Sequence, residues 1–148
     1  MKRILLLTTT LGLALITATP APAHAQDAWV RQVRQLVSQA GQAFEARGYE
    51  LTHRIYTGSL NDGAAELVQL ELDVGMEYQI MGACDEDCSD LDFTLYDGAG
   101  NEIDSDMLDD DFPVVSVTVS RSGVFAVRVS MADCSAEPCR YGIGIFGR

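Results

Sequence analysis

Positive charge is scarce in this 148-residue sequence, where 10 lysines and arginines stand against 22 aspartates and glutamates. Long apolar runs are scarcer still. The one extended apolar stretch, Ile4 to Ile16, is interrupted by Thr8 to Thr10 and Gly12 and is too short to cross a bilayer. It follows Lys2 and Arg3 and precedes Ala23-His24-Ala25, the order of a basic start, an apolar stretch and a small-x-small cleavage site. Residues 1–25 therefore read as a signal peptide, with Gln26 as the new N-terminus and a periplasmic or secreted location. The remaining 123 residues suffice for one domain and keep 8 basic against 22 acidic residues, a formal charge of −14. Such a surface repels nucleic acid and anionic lipid, so neither nucleic acid nor, after cleavage, membrane is expected as a partner.

The sequence also lacks the signatures of catalysis. It has no G-x-S-x-G, H-E-x-x-H, phosphate loop or dinucleotide fingerprint. A single histidine, His53, follows the leader, in a segment with Thr52 and Arg54 where an ordinary strand residue is expected. Paired carboxylates would serve a glycosidase only with one acid of raised pKa in a concave apolar pocket, and the acids here lie in a polar run. No catalytic residue and no enzyme is expected.

Four cysteines are present, Cys84, Cys88, Cys134 and Cys139. In an exported chain disulfides are their default fate, and the spacing favours two local bridges, Cys84 to Cys88 and Cys134 to Cys139, each clamping a loop. A long-range pairing is the alternative. A four-thiolate zinc site and a redox-active pair are weaker readings, because export favours oxidation and because Asp85, Glu86, Asp87 and Asp90 oppose a thiolate at the first pair.

After the leader, Val30, Val33, Val37, Ala40 and Phe44 recur at intervals of three and four and predict an amphipathic helix from about Ala28 to Arg47. Asp27 is placed to cap its start and Gly48 its end. Beyond Gly48 the period becomes two: Val68, Leu70 and Leu72, then Tyr78 and Ile80, then Leu91, Phe93 and Leu95, then Val115, Val117 and Val119, then Phe125, Val127, Val129 and Met131. Turn signals at Asn61-Asp62-Gly63, Asp97 to Asn101 and Arg121-Ser122-Gly123 separate the runs. Seven or eight antiparallel strands with one apolar face each predict a mainly β chain, an antiparallel β-sandwich of jelly-roll type with one N-terminal helix. The expected organisation is leader 1–25, helix 26–48 and sandwich 49–148. Glycines in the last strand, Tyr141 to Phe146, suggest close packing or a bulge.

Twelve carboxylates fall between Asp85 and Asp111 with no lysine or arginine among them. Hydrated loops are one explanation and oxygen ligation of a cation the sharper one, with calcium the natural candidate outside the cytosol. The pattern is not an EF-hand. A sandwich-loop site would bring Asp90 or Asp92 at one strand start to Asp104, Asp106 or Asp109 from the next connection. Tyr49, Tyr56, Tyr96 and Tyr141 offer either a platform for carbohydrate or peptide or ordinary packing, with Tyr96 placed by alternation on the wet face.

Tyr78-x-Ile80, the run Asp90-Leu91-Asp92-Phe93-Thr94-Leu95-Tyr96-Asp97, Gly100, Pro113-Val114-Val115 and Gly123-Val124-Phe125-Ala126-Val127-Arg128-Val129 resemble the bacterial pre-peptidase C-terminal domain over about residues 64 to 148. That resemblance implies a β-sandwich of the kind appended to secreted peptidases and other exported proteins, in some cases binding calcium or an extracellular matrix substrate. After the expected leader, the expected helix and Tyr49 to Leu60 stand before the matching segment, where a peptidase is the usual neighbour in that family. The functional expectation is an exported, non-catalytic binding or structural module, stabilised by calcium if the acids ligate it, with a protein or carbohydrate ligand. The alternative is an accessory subunit or inhibitor of a secreted enzyme, using Tyr49 to Leu60 or a sheet edge as its contact.

Overall fold

The structure is a computed structural model that describes residues 23–148; all of the expected leader but its last three residues lies outside the described part. Its order is helix α1 (Ala23–Glu45) followed by strands β1 (Glu50–Leu51), β2 (Tyr56–Leu60), β3 (Ala65–Leu72), β4 (Glu77–Cys84), β5 (Cys88–Tyr96), β6 (Glu102–Asp106), β7 (Val114–Thr118), β8 (Gly123–Cys134) and β9 (Cys139–Gly147). Asp27 falls inside α1 rather than at its start.

The strands form two antiparallel sheets. In the first, β1 and β2 pair in succession along one side of β9, and the order continues through β4 to β7. The second has the order β3-β8-β5-β6. Among the described residues only β5 and β6 form a hairpin, turned by Asp97 to Asn101; the other turn signals carry the chain from one sheet to the other. The alternating strands therefore pair with partners distant in sequence, which local turn chemistry does not reveal.

Inward-facing side chains of both sheets share one core, including Leu70, Leu91, Phe93 and Val127 from the second sheet and Tyr78, Ile80, Ile143 and Ile145 from the first. Two sheets with one core make a β-sandwich-like body. Each fully buried Leu, Ile or Phe contributes about 2 kcal/mol through removal of apolar surface from water.

Helix α1 lies on the outer face of the first sheet. Val33 and Val37 are fully buried against β9, where a Cβ at Gly142 would come within 2.6 Å of a Val33 methyl and one at Gly144 within 2.7 Å of a Val37 methyl. The glycines are thus the seat of the helix. Phe44, Tyr49, Met81 and Phe146 form a second, smaller cluster beneath its C-terminal end. There Gly48, at φ 84°, ends the helix in the left-handed conformation. The Tyr49 amide reaches back to the Phe44 carbonyl at 3.2 Å, and the two rings meet edge to face with centroids 6.2 Å apart, the bonding and apolar contact of a Schellman termination.

This cover corrects one expectation. Strand β4 is buried on both faces, not one, because the helix occupies the side that alternation alone assigns to water, and β9, likewise buried on both faces, makes against that helix the close packing its glycines suggest.

Candidate binding surface and the acidic edge

Both local disulfides are present, Cys84 to Cys88 and Cys134 to Cys139, each with Cα atoms 5.9 Å apart. They do more than clamp loops: the first ties β4 of one sheet to β5 of the other, and the second ties β8 to β9 across the same gap. Beside them Asp85 is 1 % exposed. One of its oxygens accepts the Arg140 amide at 3.0 Å and lies 3.8 Å from the Arg140 guanidinium, while the other has no partner among the described residues. Burial, opposed by Arg140, pushes the Asp85 carboxyl above the ordinary aspartate range. The same guanidinium lies over the Trp29 ring, 5.0 Å from its centroid, and so joins helix to sheet.

The five aspartates expected to ligate calcium do not converge. Asp104 and Asp106 lie on β6, the edge of the second sheet, opposite the core residues Leu95 and Phe93. From there they reach β7, the edge of the first sheet. An Asp104 oxygen accepts the Ser116 amide at 2.7 Å and its hydroxyl at 3.2 Å, and an Asp106 oxygen accepts the Val114 amide at 2.8 Å. The remaining oxygens take the amides of Ser105 and Leu108. Asp90 and Asp109 lie near one another, and Asp90 has one buried oxygen without a partner among the described residues; burial and then the charges of Asp109, Asp133 and Asp110 raise its pKa. Asp92 is 9 % exposed on the outer side of β5, where burial, then Asp90 and Asp106, raise its pKa and Arg128 lowers it. Among the described residues no three acidic, histidine or cysteine side chains are grouped so as to hold a metal ion. Hydrogen bonds from the edge amides of β7 offset the negative charge of Asp104 and Asp106.

The tyrosines are dispersed. Tyr49 is buried and donates to Glu77 Oε1 at 2.6 Å, and the Arg148 guanidinium lies 4.4 Å from its ring centroid. Arg148 also pairs with Glu77 at 2.8 Å. Tyr141 is fully buried, stacks on the half-exposed Tyr56 and donates its hydroxyl to Glu66 on β3. Burial, followed by the Glu66 carboxylate, holds that hydroxyl far above the ordinary tyrosine value. The His53 ring nitrogens meet the Thr52 hydroxyl at 2.8 Å and the Glu71 carbonyl at 3.0 Å, so the imidazole links the 52–54 segment to β3.

Tyr96 alone of the four lies on an open sheet face. The outer face of the second sheet carries a trough of about 430 Å³ whose lining includes Leu67, Gln69, Tyr96, Val124, Ala126 and Arg128. Register explains its shape: Gln69, Ala126 and Tyr96 stand in one row across β3, β8 and β5, and the small alanine forms a floor between two longer walls. Leu67 is 63 % and Val124 46 % exposed. Arg128 is the single basic residue in the four strands of this sheet, and one of its nitrogens donates to the Ser130 hydroxyl at 2.7 Å. The trough ends at the turn after β5, where Asp97 accepts the Ala99 and Asn101 amides and the Asn101 side chain, each at 2.9 Å; those bonds draw its carboxyl below the ordinary aspartate range.

Apart from Tyr96, sequence reading did not single out this face. Its signal was present as apolar residues in the polar phase of alternating strands, Leu67 beside Val68 and Val124 beside Phe125. Comparison of the chain with family models and with curated proteins finds no match.

Proposed function

We propose that the chain is an exported, non-catalytic binding module that takes a neutral ligand with an apolar face and a hydrogen-bonding rim, a carbohydrate, in the trough on the outer side of β3, β8 and β5. One contrast carries the proposal: the first sheet's outer face is covered by the chain's own helix, whereas the second's is open, apolar at Leu67 and Val124, and served by one guanidinium in a strongly acidic chain. The Tyr96 ring and the Leu67 and Val124 side chains suit the C–H face of a sugar, and Gln69 and Arg128 suit its hydroxyls. A neutral ligand also escapes the repulsion that a −14 chain exerts on anions. The floor is three paired strands, a more rigid support than loops.

Export belongs to the same proposal and is supported by the two disulfides, which suggest an oxidising, extracellular environment. Among the described residues no helix is long and apolar enough to cross a membrane. The order β2-β9-β4-β7 facing β3-β8-β5-β6 supports a jelly-roll reading, with the helix as an integral cover. A pre-peptidase C-terminal-like domain is proposed on that order and on the residues quoted for the resemblance. Calcium enters only as a stabiliser of the acidic loops, and melts with calcium and with chelator measure it.

A panel of immobilised neutral glycans, followed by calorimetry on any that retain the protein, tests the assignment. Tyr96→Ala and Arg128→Ala should each weaken binding at least tenfold while leaving the melting temperature nearly unchanged. Binding that survives both substitutions removes the trough from consideration, and a stoichiometric enzyme in the native exported fraction with no glycan retained would favour the accessory-subunit alternative.

A further inference from the structure

We infer that β7 is a strand-accepting edge held shut by Asp104 and Asp106, and that, once released, it pairs with β7 of a second copy of this chain. An edge strand presents a row of backbone donors and acceptors to any other strand, and proteins blunt such edges with charge, bulges or cover. Most long edges here carry their own protection. Strand β3 contains Glu66 and Glu71, β6 contains Glu102, Asp104 and Asp106, and β2 is interrupted by Gly58, where a Cβ would meet the Tyr141 ring. Strand β7 has none of these devices. It reads Val114-Val115-Ser116-Val117-Thr118, uncharged and mostly β-branched, the composition that favours strand pairing.

Its protection comes from the opposite sheet. Asp104 and Asp106, two residues apart on β6, accept the amides of Ser116 and Val114, two residues apart on β7, at 2.7 and 2.8 Å. The spacing is that of successive outward donors on one strand edge, and the carboxylate oxygens stand where the carbonyls of an added strand would be. Charge-assisted bonds of this kind are stronger than those of neutral carbonyls, so the chain's own side chains outcompete a neighbour's backbone.

A second copy is the fitting occupant because β7 is self-complementary. Antiparallel pairing centred on Ser116 places Val114 of each copy against Thr118 of the other and brings no charged residue of either strand into the contact, giving an isologous twofold joint. Pairing through β3 or β6 would set like charges together.

The test uses the Asp104→Ala/Asp106→Ala chain. Amide hydrogen exchange at Val114 and Ser116 should accelerate at least tenfold over wild type, and sedimentation velocity should show a concentration-dependent shift toward dimer and larger species. Asp104→Asn/Asp106→Asn, whose amide oxygens still accept the two bonds, should sediment as wild type. Adding Ser116→Pro to the alanine pair removes an outward donor at an edge position that tolerates proline, and should suppress the association. Asp104→Ala alone, which frees only Ser116, gives the same reading at smaller amplitude. Unchanged exchange and unchanged sedimentation in the alanine variants would overturn the inference, as would association that Ser116→Pro leaves intact.

Discussion

Cys88 and Cys134 stand opposite one another on β5 and β8, so the two disulfides meet at one end of the body and tie β4, β5, β8 and β9 together where the chain passes between sheets. Each closes a loop of only a few residues, which limits its chain-entropy contribution to about 2 kcal/mol. Replacing both cysteines of one bridge by serine should lower the melting temperature by roughly 8 °C in a domain of this size. Peptide mapping of the unreduced wild type should return Cys84 with Cys88 and Cys134 with Cys139, and a crossed pair would contradict the arrangement.

The raised carboxyls of Asp85, Asp90 and Asp92 set one limb of the pH response, above 3.8. A carboxyl whose folded pKa exceeds its unfolded value of 3.8 binds its proton more readily in the folded state, so stability falls as pH rises from 3.8 through the folded value. Lowering the pH through the folded values of these carboxyls toward 3.8 should therefore raise their contribution to the melting temperature. Asp92→Asn, which supplies a neutral group at the 9 % exposed position, should stabilise the chain at pH 7 by about 1 kcal/mol and flatten that rise. A destabilised Asn variant with an unaltered pH profile would count against burial as the cause.

Glu77 acts in the opposite sense. Hydrogen bonds from Tyr49 and then Arg148 hold its carboxyl below its ordinary value of 4.5. Its contribution is present above 4.5 and is lost as pH falls through the lower folded value. Glu77→Gln should make the acid limb of the melting profile shallower than that of wild type.

Gly142 seats the helix, and a methyl there would lie 2.6 Å from Val33. Gly142→Ala should cost about 1–3 kcal/mol through overpacking. Trp29, the single tryptophan, lies under the Arg140 guanidinium and reports the docking: its emission should shift to the red in the variant if the helix lifts. Unchanged emission and stability would mean that β9 yields instead.

Much of the β architecture was legible because a strand's side chains alternate by geometry. Val68, Leu70 and Leu72 on β3 and Phe125, Val127, Val129 and Met131 on β8 show the buried face directly. The helix stripe, the Gly48 termination and the cysteine spacing were legible for the same local reason. Alternation misassigned the outer face of β4, since it marks which residues share a face and not what covers the other one, whereas the β9 glycines pointed to the close packing that Gly142 and Gly144 make against the helix. It also placed Asp92 on a wet face, although neighbours on the same sheet leave it 9 % exposed. The five candidate ligands were grouped by charge and nearness in sequence. Asp104 and Asp106 were instead drawn to β7 because the two sheet edges run side by side, a relation that spans the connection between β6 and β7.

The sequence by itself determined the periods, the stops and the chemistry of each segment: acidic loops, paired cysteines, a narrow apolar helix stripe and strands with one obligatory inner face. Tertiary structure decided which outer faces meet water, which edges stay open and which carboxylates find a donor. Those outcomes depend on how sheets and helix stack, and stacking brings together residues whose local patterns carry no record of one another.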